Sequence, residues 1–337
     1  MIYGVPRKNL NFPKGGAVNF VVVDVETANS DLSSICQVGI ASFRDGALHN
    51  SWESLVNPED EFDPICVSIH GIDAEKVRSS PSWATIYSEI NPLLDGNIVA
   101  CHTAFDRVAL LRACEKNNLA HCRCRWLDSA MVVRRAWPIF SRSGYGLTNV
   151  AAEFGIKYTP HNALEDARCA GEVLLRAIAE TGLGIDQWLE RVKQPINLPV
   201  RQPAVPRARQ PAVSRARQPI HPALPISRHG NPDGPLYGEV LVFTGALSMS
   251  RHDAADAAAG AGCEVATSVT KHTTLLVVGN QDARRLAGQE RSSKHRKAEE
   301  LINEGQKIRI ISESDFQGIT EQQITRLNDL SECPHPN

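Results

Sequence analysis

Apolar positions along the first 190 residues alternate between strand and helix periods. NFVVVDV, residues 19–25, is a β-branched run closing on an acid, as in a buried central strand that delivers side chains at its end. The strand pattern continues through CQVGIASF, turns at Asp45-Gly46 and resumes in ALHNSWESLV, which predicts an antiparallel meander of three strands. NIVAC, residues 97–101, predicts another buried strand. In HTAFDRVALLRACEKN, Phe105, Val108, Leu111 and Arg112 keep helical spacing, so Asp106 falls in the first turn of a helix. GYGLTNVAAEFGI reads as a short amphipathic helix ended by Gly155. A longer helix follows, with Ala163, Ala167, Ala170, Val173, Leu174 and Ala177 as its apolar face, Asp166 inside it and His161 on the loop at its mouth.

The pattern restarts at Gly238 with a strand (EVLVF), a Thr244-Gly245 turn, a helix (RHDAADAAAGAG) and two strands (CEVATSV, TLLVV). A helix (HRKAEELINEG), a strand (KIRII) and a last helix (SESDFQGI) complete it. This alternation predicts a small parallel sheet with helices packed around it. Residues 280–293 are longer than a minimal connection, which predicts a mobile basic loop.

Between the halves the material changes. Ten of the twenty prolines lie from Pro195 to Pro235, and RQPAVPRA, RQPAVSRA and RQPI repeat with period eight from Arg201, Arg209 and Arg217. Proline removes backbone donors and stiffens the chain toward polyproline II, so the segment reads as an extended tether. Charge follows the same division: residues 1–190 sum to -6, 191–232 to +8 with no acid, and 233–337 to -4. The basic stretch is either a solvated linker or a non-specific attractor of phosphate backbones.

A chain of 337 residues with 42% hydrophobic content carries enough for two cores, and wholesale disorder is excluded. No apolar run approaches a membrane span, and MIYGVPRKNL lacks the apolar stretch of a signal peptide. Nine cysteines, an odd number scattered through apolar runs, do not resemble a disulfide framework, so a soluble chain in a reducing cytoplasm is expected. His121, Cys122 and Cys124 lack zinc-knuckle spacing and are expected to be ordinary residues near a loop.

The candidate chemistry sits at the end of the first strand. Asp24 and Glu26 flank Val25, so the period of two points both carboxylates the same way. Two anions at the end of a hydrophobic strand are costly unless something cationic stands between them, and a hard divalent metal is the economical answer. D-x-E at a strand end, the aspartate of HTAFD and H-x-x-x-x-D in HNALEDA together resemble the three motifs of the DnaQ-like, DEDDh 3'-5' exonuclease family, over roughly residues 18–182. The SIHGI stretch from Ser68, the PSW after it and DSAMVVRR from Asp128 add to the likeness.

The resemblance implies a ribonuclease H-like α/β fold in which Asp24, Glu26, Asp106 and Asp166 bind two Mg2+ or Mn2+ ions. Two metals about 3.5 to 4 Å apart can clamp the attacking and leaving oxygens of an in-line displacement at phosphorus. His161, whose ordinary pKa lies near neutrality, would take the proton of the attacking water. The family likeness also implies that Thr27 meets the terminal nucleotide through its backbone, while His70, Ile72 and Phe105 line the pocket for its sugar and base. Phe105 and Ile72 as plain core, His70 as a turn-satisfying group and Thr27 as a cap are the competing structural roles.

VFTGAL, Arg251 heading its helix, TLLVVG, SSKHRKAEEL and IISESDF resemble a BRCT domain, most nearly those of bacterial DNA ligases. That likeness implies a phosphate pocket of Thr244, Gly245 and Lys294, with Arg251 as a further ligand; a turn and solvated bases are the alternative. Ala261-Gly262 stands where Gly-Gly is usual and Phe316 where tryptophan is frequent, which counts against a tandem phosphopeptide reader.

The expected order is an N-terminal segment (1–17), exonuclease domain (18–190), basic linker (191–234), BRCT domain (235–320) and tail (321–337). The expected function is metal-dependent release of nucleoside monophosphates from nucleic-acid 3' ends. DNA is favoured, and the BRCT ligand is a DNA 5'-phosphate end or a phosphorylated protein, in repair or replication. RNA as substrate, and a recruitment protein with a vestigial nuclease, are the alternatives.

Overall fold

The computed structural model describes residue 12 and residues 18–140, 144–196, 226–281 and 291–320. The basic repeat, most of the 280–293 connection, the tail and Cys333 lie outside the described residues.

The first half is a five-stranded sheet in the order β3-β2-β1-β4-β5. β1 (Phe20–Thr27), β2 (Ile35–Arg44) and β3 (Ala47–Leu55) form the antiparallel meander, while β4 (Ile98–Cys101) and β5 (Arg125–Asp128) run parallel to β1. Strand period two divides the core. Phe20 and Val22 face one layer, packed by α7 (Ala163–Thr181) and α5 (Ser129–Ala136); Val21, Val23 and Val25 face the other, packed by α3 (Trp83–Leu94) and α4 (Phe105–Lys116). Among the described residues this half also holds the shorter helices α1 (Pro64–His70), α2 (Ala74–Val77), α6 (Leu147–Phe154) and α8 (Ile185–Arg191).

Two details differ from the sequence pattern. The buried stripe of α4 is Asp106, Ala109, Leu110, Ala113 and Cys114, not the one through Phe105 and Val108. Small side chains let the helix lie close to the sheet, and burial of Ala109, Leu110, Ala113 and Cys114 sets the face that carries Asp106 inward. Ile72, expected in a nucleotide pocket, is 5% exposed in a satellite core with Ala28, Cys36 and Val77.

The second half is a parallel sheet in the order β7-β6-β8-β9, formed by Glu264–Ala266, Val240–Thr244, Leu275–Val278 and Arg309–Ser312. α9 (Arg251–Gly260), α10 (Ser293–Asn303) and a helical run over 313–320 surround it. β7 is three residues long, shorter than the CEVATSV pattern suggested. Phe316, in the place of the frequent tryptophan, is buried edge-on against Phe243 at 5.4 Å.

Among the described residues no helix is long and apolar enough to cross a membrane. Eight cysteines are free thiols, and His121, Cys122 and Cys124 form no ligand cluster among the described residues.

Candidate active site

Asp24 and Glu26 lie on the last turns of β1's pleat, on the face that α7 covers. The α7 N-terminus is brought down on them by two neighbours in β2. Gly39, the ladder partner of Asp24, has no side chain, and a Cβ there would lie 2.2 Å from the carbonyl carbon of Ala163. Gln37, the partner of Glu26, accepts the Ala163 N–H through Oε1 at 3.1 Å. Asn162 caps the helix by accepting the Glu165 N–H, and its own N–H donates to Asp166 Oδ2 at 3.1 Å. Asp166 is thereby fixed in the first turn, facing the strand.

One carboxylate oxygen each from Asp24, Glu26 and Asp166 lie within 4.8 Å of one another. Asp106 arrives from the opposite layer on α4 and stands outside that trio; its Oδ1 accepts the Val25 N–H at 3.1 Å. Its approach is braced from behind. Asp128 caps α5 and accepts the Thr103 N–H, while half-buried His102 accepts from Ser129 Oγ and donates to the Tyr145 carbonyl, both at 2.8 Å.

The electrostatics are those of a buried acidic pit that His161 only partly offsets. Burial first, then the neighbouring acids, raise Asp24 well above the usual carboxylate range. Burial likewise pushes Glu26 to about 8, against the lowering pull of His161. Asp106 rises to about 7 by burial, opposed by the amide bonds it accepts, and Asp166 to about 6 by burial, opposed by His161. Hard oxygen donors that are costly to ionise together suit Mg2+ or Mn2+, so the donor set fits such ions.

His161 sits on the loop before α7 with φ +61, a left-handed conformation uncommon for a residue with a side chain. Its Nε2 lies 3.0 Å from Asp315 Oδ1 in the second half of the chain. Burial works to lower its pKa, but the bond and charge of Asp315, helped by Glu26 and Asp166, carry it up to about 9.

The expected nucleotide-binding residues divide. The Ile72 N–H donates to His70 Nδ1 at 3.0 Å, so Nε2 carries the proton and donates to the Thr27 carbonyl at 3.1 Å. Burial also lowers the His70 pKa, consistent with a neutral ring that welds Thr27 to Ile72. Phe105 is 39% exposed beside Asp106.

In the second half, Thr244 Oγ1 lies 2.6 Å from Ser292 Oγ, and Gly245 at φ +78 packs its Cα side on the Gly279 carbonyl. Lys294 Nζ donates to the Phe243 carbonyl at 3.0 Å. Arg251 reaches the same carbonyl at 3.3 Å and that of Gly245. Burial, then Arg251, lowers the Lys294 pKa. Among the described residues neither cation has a carboxylate at ion-pair distance, although Lys294 lies in the first turn of α10 and not before it. Ser292, which caps α10 and meets Thr244, carried no signal in the sequence.

Residues 21–174 match the family model "Exonuclease", and residues 231–316 match "BRCA1 C Terminus (BRCT) domain". The chain thus carries an exonuclease domain followed by a BRCT domain. The exonuclease domain is 25% identical over 169 residues to DNA polymerase III subunit epsilon of Treponema pallidum, covering 48% of this chain and 77% of that one. It is 25% identical over 166 residues to 3'-5' exonuclease DinG of Staphylococcus epidermidis and 26% over 163 to DNA polymerase III PolC-type of Thermotoga petrophila. These matches cover 48% and 47% of this chain but span 18% and 12% of those proteins. A solved structure of Exonuclease X in complex with 5' overhanging duplex DNA aligns with 51% of this chain and 99% of its own, at 21% identity and a TM-score of 0.43.

Proposed function

We propose that this chain shortens nucleic acids from the 3' end, DNA in preference to RNA, releasing nucleoside monophosphates by metal-assisted hydrolysis. The observation that carries this reading is the convergence of Asp24, Glu26 and Asp166 oxygens within 4.8 Å, in burial that makes their joint ionisation costly without a cation.

Asp24, Glu26, Asp106 and Asp166 would hold two Mg2+ or Mn2+ ions, which when bound neutralise charge on the phosphate and lower the pKa of a coordinated water. The chain's own residues do the rest. Phe105 stacks on the terminal base, a contact worth about 1 to 3 kcal/mol that ignores sequence. Thr27, held by His70, presents backbone to the terminal nucleotide, and buried Ile72 supports it from behind. His161 takes the proton of the attacking water, for which its ring must be neutral and turned inward.

The BRCT half would deliver the enzyme to its substrate in repair or replication, in the cytoplasm, by binding a DNA 5'-phosphate end or a phosphorylated protein. Thr244, the Gly245 amide, Arg251 and Lys294 supply the hydroxyl, amide and cations of an anion site. The proposed division is a catalytic unit over 18–190 and a recruiting unit over 235–320, joined by the basic segment 191–234.

The test is mononucleotide release from 3'-labelled and 5'-labelled single-stranded DNA and RNA of one sequence. Mg2+, Mn2+ or EDTA is supplied to wild type, Asp24→Ala, Asp166→Asn and His161→Ala. Metal-dependent 3' shortening that the substitutions abolish supports the reading. Shortening that survives Asp166→Asn, or none on either polymer, rejects it.

A further inference from the structure

The rim of the active site is covered by the other half of the same chain. Asp315 Oδ1 meets His161 Nε2 at 3.0 Å. Arg309 of β9 grips Asp63, the N-cap of α1, while its other arm holds Glu239 of its own domain. On the far side Arg112 of α4 donates to the Ile302 carbonyl of α10 at 3.0 Å. The space between these ties is apolar. Ile65 of α1, 3% exposed, belongs to the same buried cluster as Phe243, Ile311, Phe316 and Ile319, and Ile69 packs against it. Leu32 packs likewise against the cluster of Leu301 and Ile302.

These contacts fall on the elements that the exonuclease reading assigns to substrate. α1 ends in His70, whose ring fixes Thr27 and Ile72, and the His161 loop carries the proposed base. What is left open beside His161 is a cleft of about 250 Å³ that both domains line, through Ser68, Thr148 and Pro160 on one side and Ser314, Asp315 and Gly318 on the other. Asp315 is no loose surface side chain. Its Oδ2 accepts the Ser312 N–H at 2.9 Å and its own N–H donates to Ser312 Oγ at 3.1 Å, so the carboxylate is aimed. An anionic oxygen on His161 Nε2 occupies one of the two ring nitrogens with which the base could meet a phosphodiester or its attacking water.

We propose that the BRCT domain is an intramolecular lid on the exonuclease site, docked through Asp315 on His161 and through α1, and that a 3' end enters when this seam opens. The inference rests on the exonuclease reading for what the rim receives. A tethered domain competes at an effective concentration in the millimolar range, so modest contacts suffice to keep the closed state populated. The apparent affinity for substrate then falls by the fraction of chains that are open. A ligand that draws the BRCT domain away would couple recruitment to activity.

The full-length chain is compared with Asp63→Asn/Asp315→Asn and with Ile69→Glu. Asparagine keeps both capping acceptors, for Ile65 N–H and Ser312 N–H, while removing the charges that face Arg309 and His161. Ile69→Glu places a charge in the apolar seam from the exonuclease side. Binding is read by anisotropy of a fluorescein-labelled single-stranded DNA with a free 3' hydroxyl in Ca2+, and turnover by mononucleotide release at subsaturating DNA in Mg2+. Small-angle scattering reads the radius of gyration.

The lid requires a larger radius, about tenfold tighter binding and a several-fold faster release in both variants. Unchanged or weaker binding in both overturns it, as does slower release by Asp63→Asn/Asp315→Asn, which would make Asp315 a support for His161. Tighter binding by the variants with no release from any protein would leave the lid standing and sink the exonuclease reading instead.

Discussion

Gly39 stands opposite Asp24 across the β1–β2 ladder, and Ala163 rests on the space its missing side chain leaves, so this pair sets the distance from the strand to the helix that carries Asp166. Gly39→Ala would put a Cβ 2.2 Å from the Ala163 carbonyl carbon, a backbone atom that cannot rotate aside. The expected result is a loss of about 1 to 3 kcal/mol in urea unfolding, as for overpacked cores, with mononucleotide release falling far more steeply than stability. Retention of full activity would mean that the α7 N-terminus can shift without moving Asp166.

Gln37 does the complementary work of holding that helix end. Gln37→Leu leaves the buried Ala163 N–H without its acceptor, which costs about 1 to 3 kcal/mol. We expect lower activity at unchanged metal requirement, measured as the rate against Mg2+ concentration. A displaced metal midpoint with an unchanged maximal rate would place Gln37 among the metal-holding groups and contradict its role as a brace.

Glu26 links stability to pH in the absence of cations. Its folded pKa, about 8, lies above its ordinary 4.5. The folded state therefore holds the proton more tightly, and the stability this confers is full below pH 4.5 and lost as pH rises through about 8. In EDTA, wild type should melt progressively lower than Glu26→Gln across that window. Mg2+ should restore wild type at pH 8 and leave Glu26→Gln little changed. A difference between the two proteins that does not vary with pH would refute the coupling.

Lys294 and Arg251 converge on the Phe243 carbonyl with no carboxylate partner at ion-pair distance among the described residues. Lys294→Ala and Thr244→Ala should each weaken binding of a 5'-phosphorylated duplex or a phosphopeptide by about tenfold or more, since a charged hydrogen bond is worth about 1.5 to 3 kcal/mol. Equal binding of phosphorylated and unphosphorylated probes by wild type would reject the pocket before any variant is compared.

Both domains were legible in the sequence because the signals are local, and so were the places of the candidate acids and His161 on a strand end, a helix's first turn and a helix mouth. A β-branched run ending in D-x-E reports a strand that delivers two acids to one face, and the alanine stripe from Ala163 to Ala177 reports the helix that buries against it. Ser292 and Gln37 carried no such signal. Gly39 did, since a glycine inside an apolar strand marks close backbone approach, but the chain pattern does not name what approaches.

What the chain determined by itself is therefore the meander, the central strands and the long helices of both halves, with the candidate residues placed on them, each fixed by periodicity and caps within a few turns. Tertiary structure alone decided which layer Asp106 comes from, that α4 turns its small residues inward to bring it, and that Ile72 is core. It also decided the meeting of His161 with Asp315, 154 residues apart. A hydrogen bond between such distant residues depends on how two separate sheets are placed against each other, and no local propensity in either segment encodes that placement.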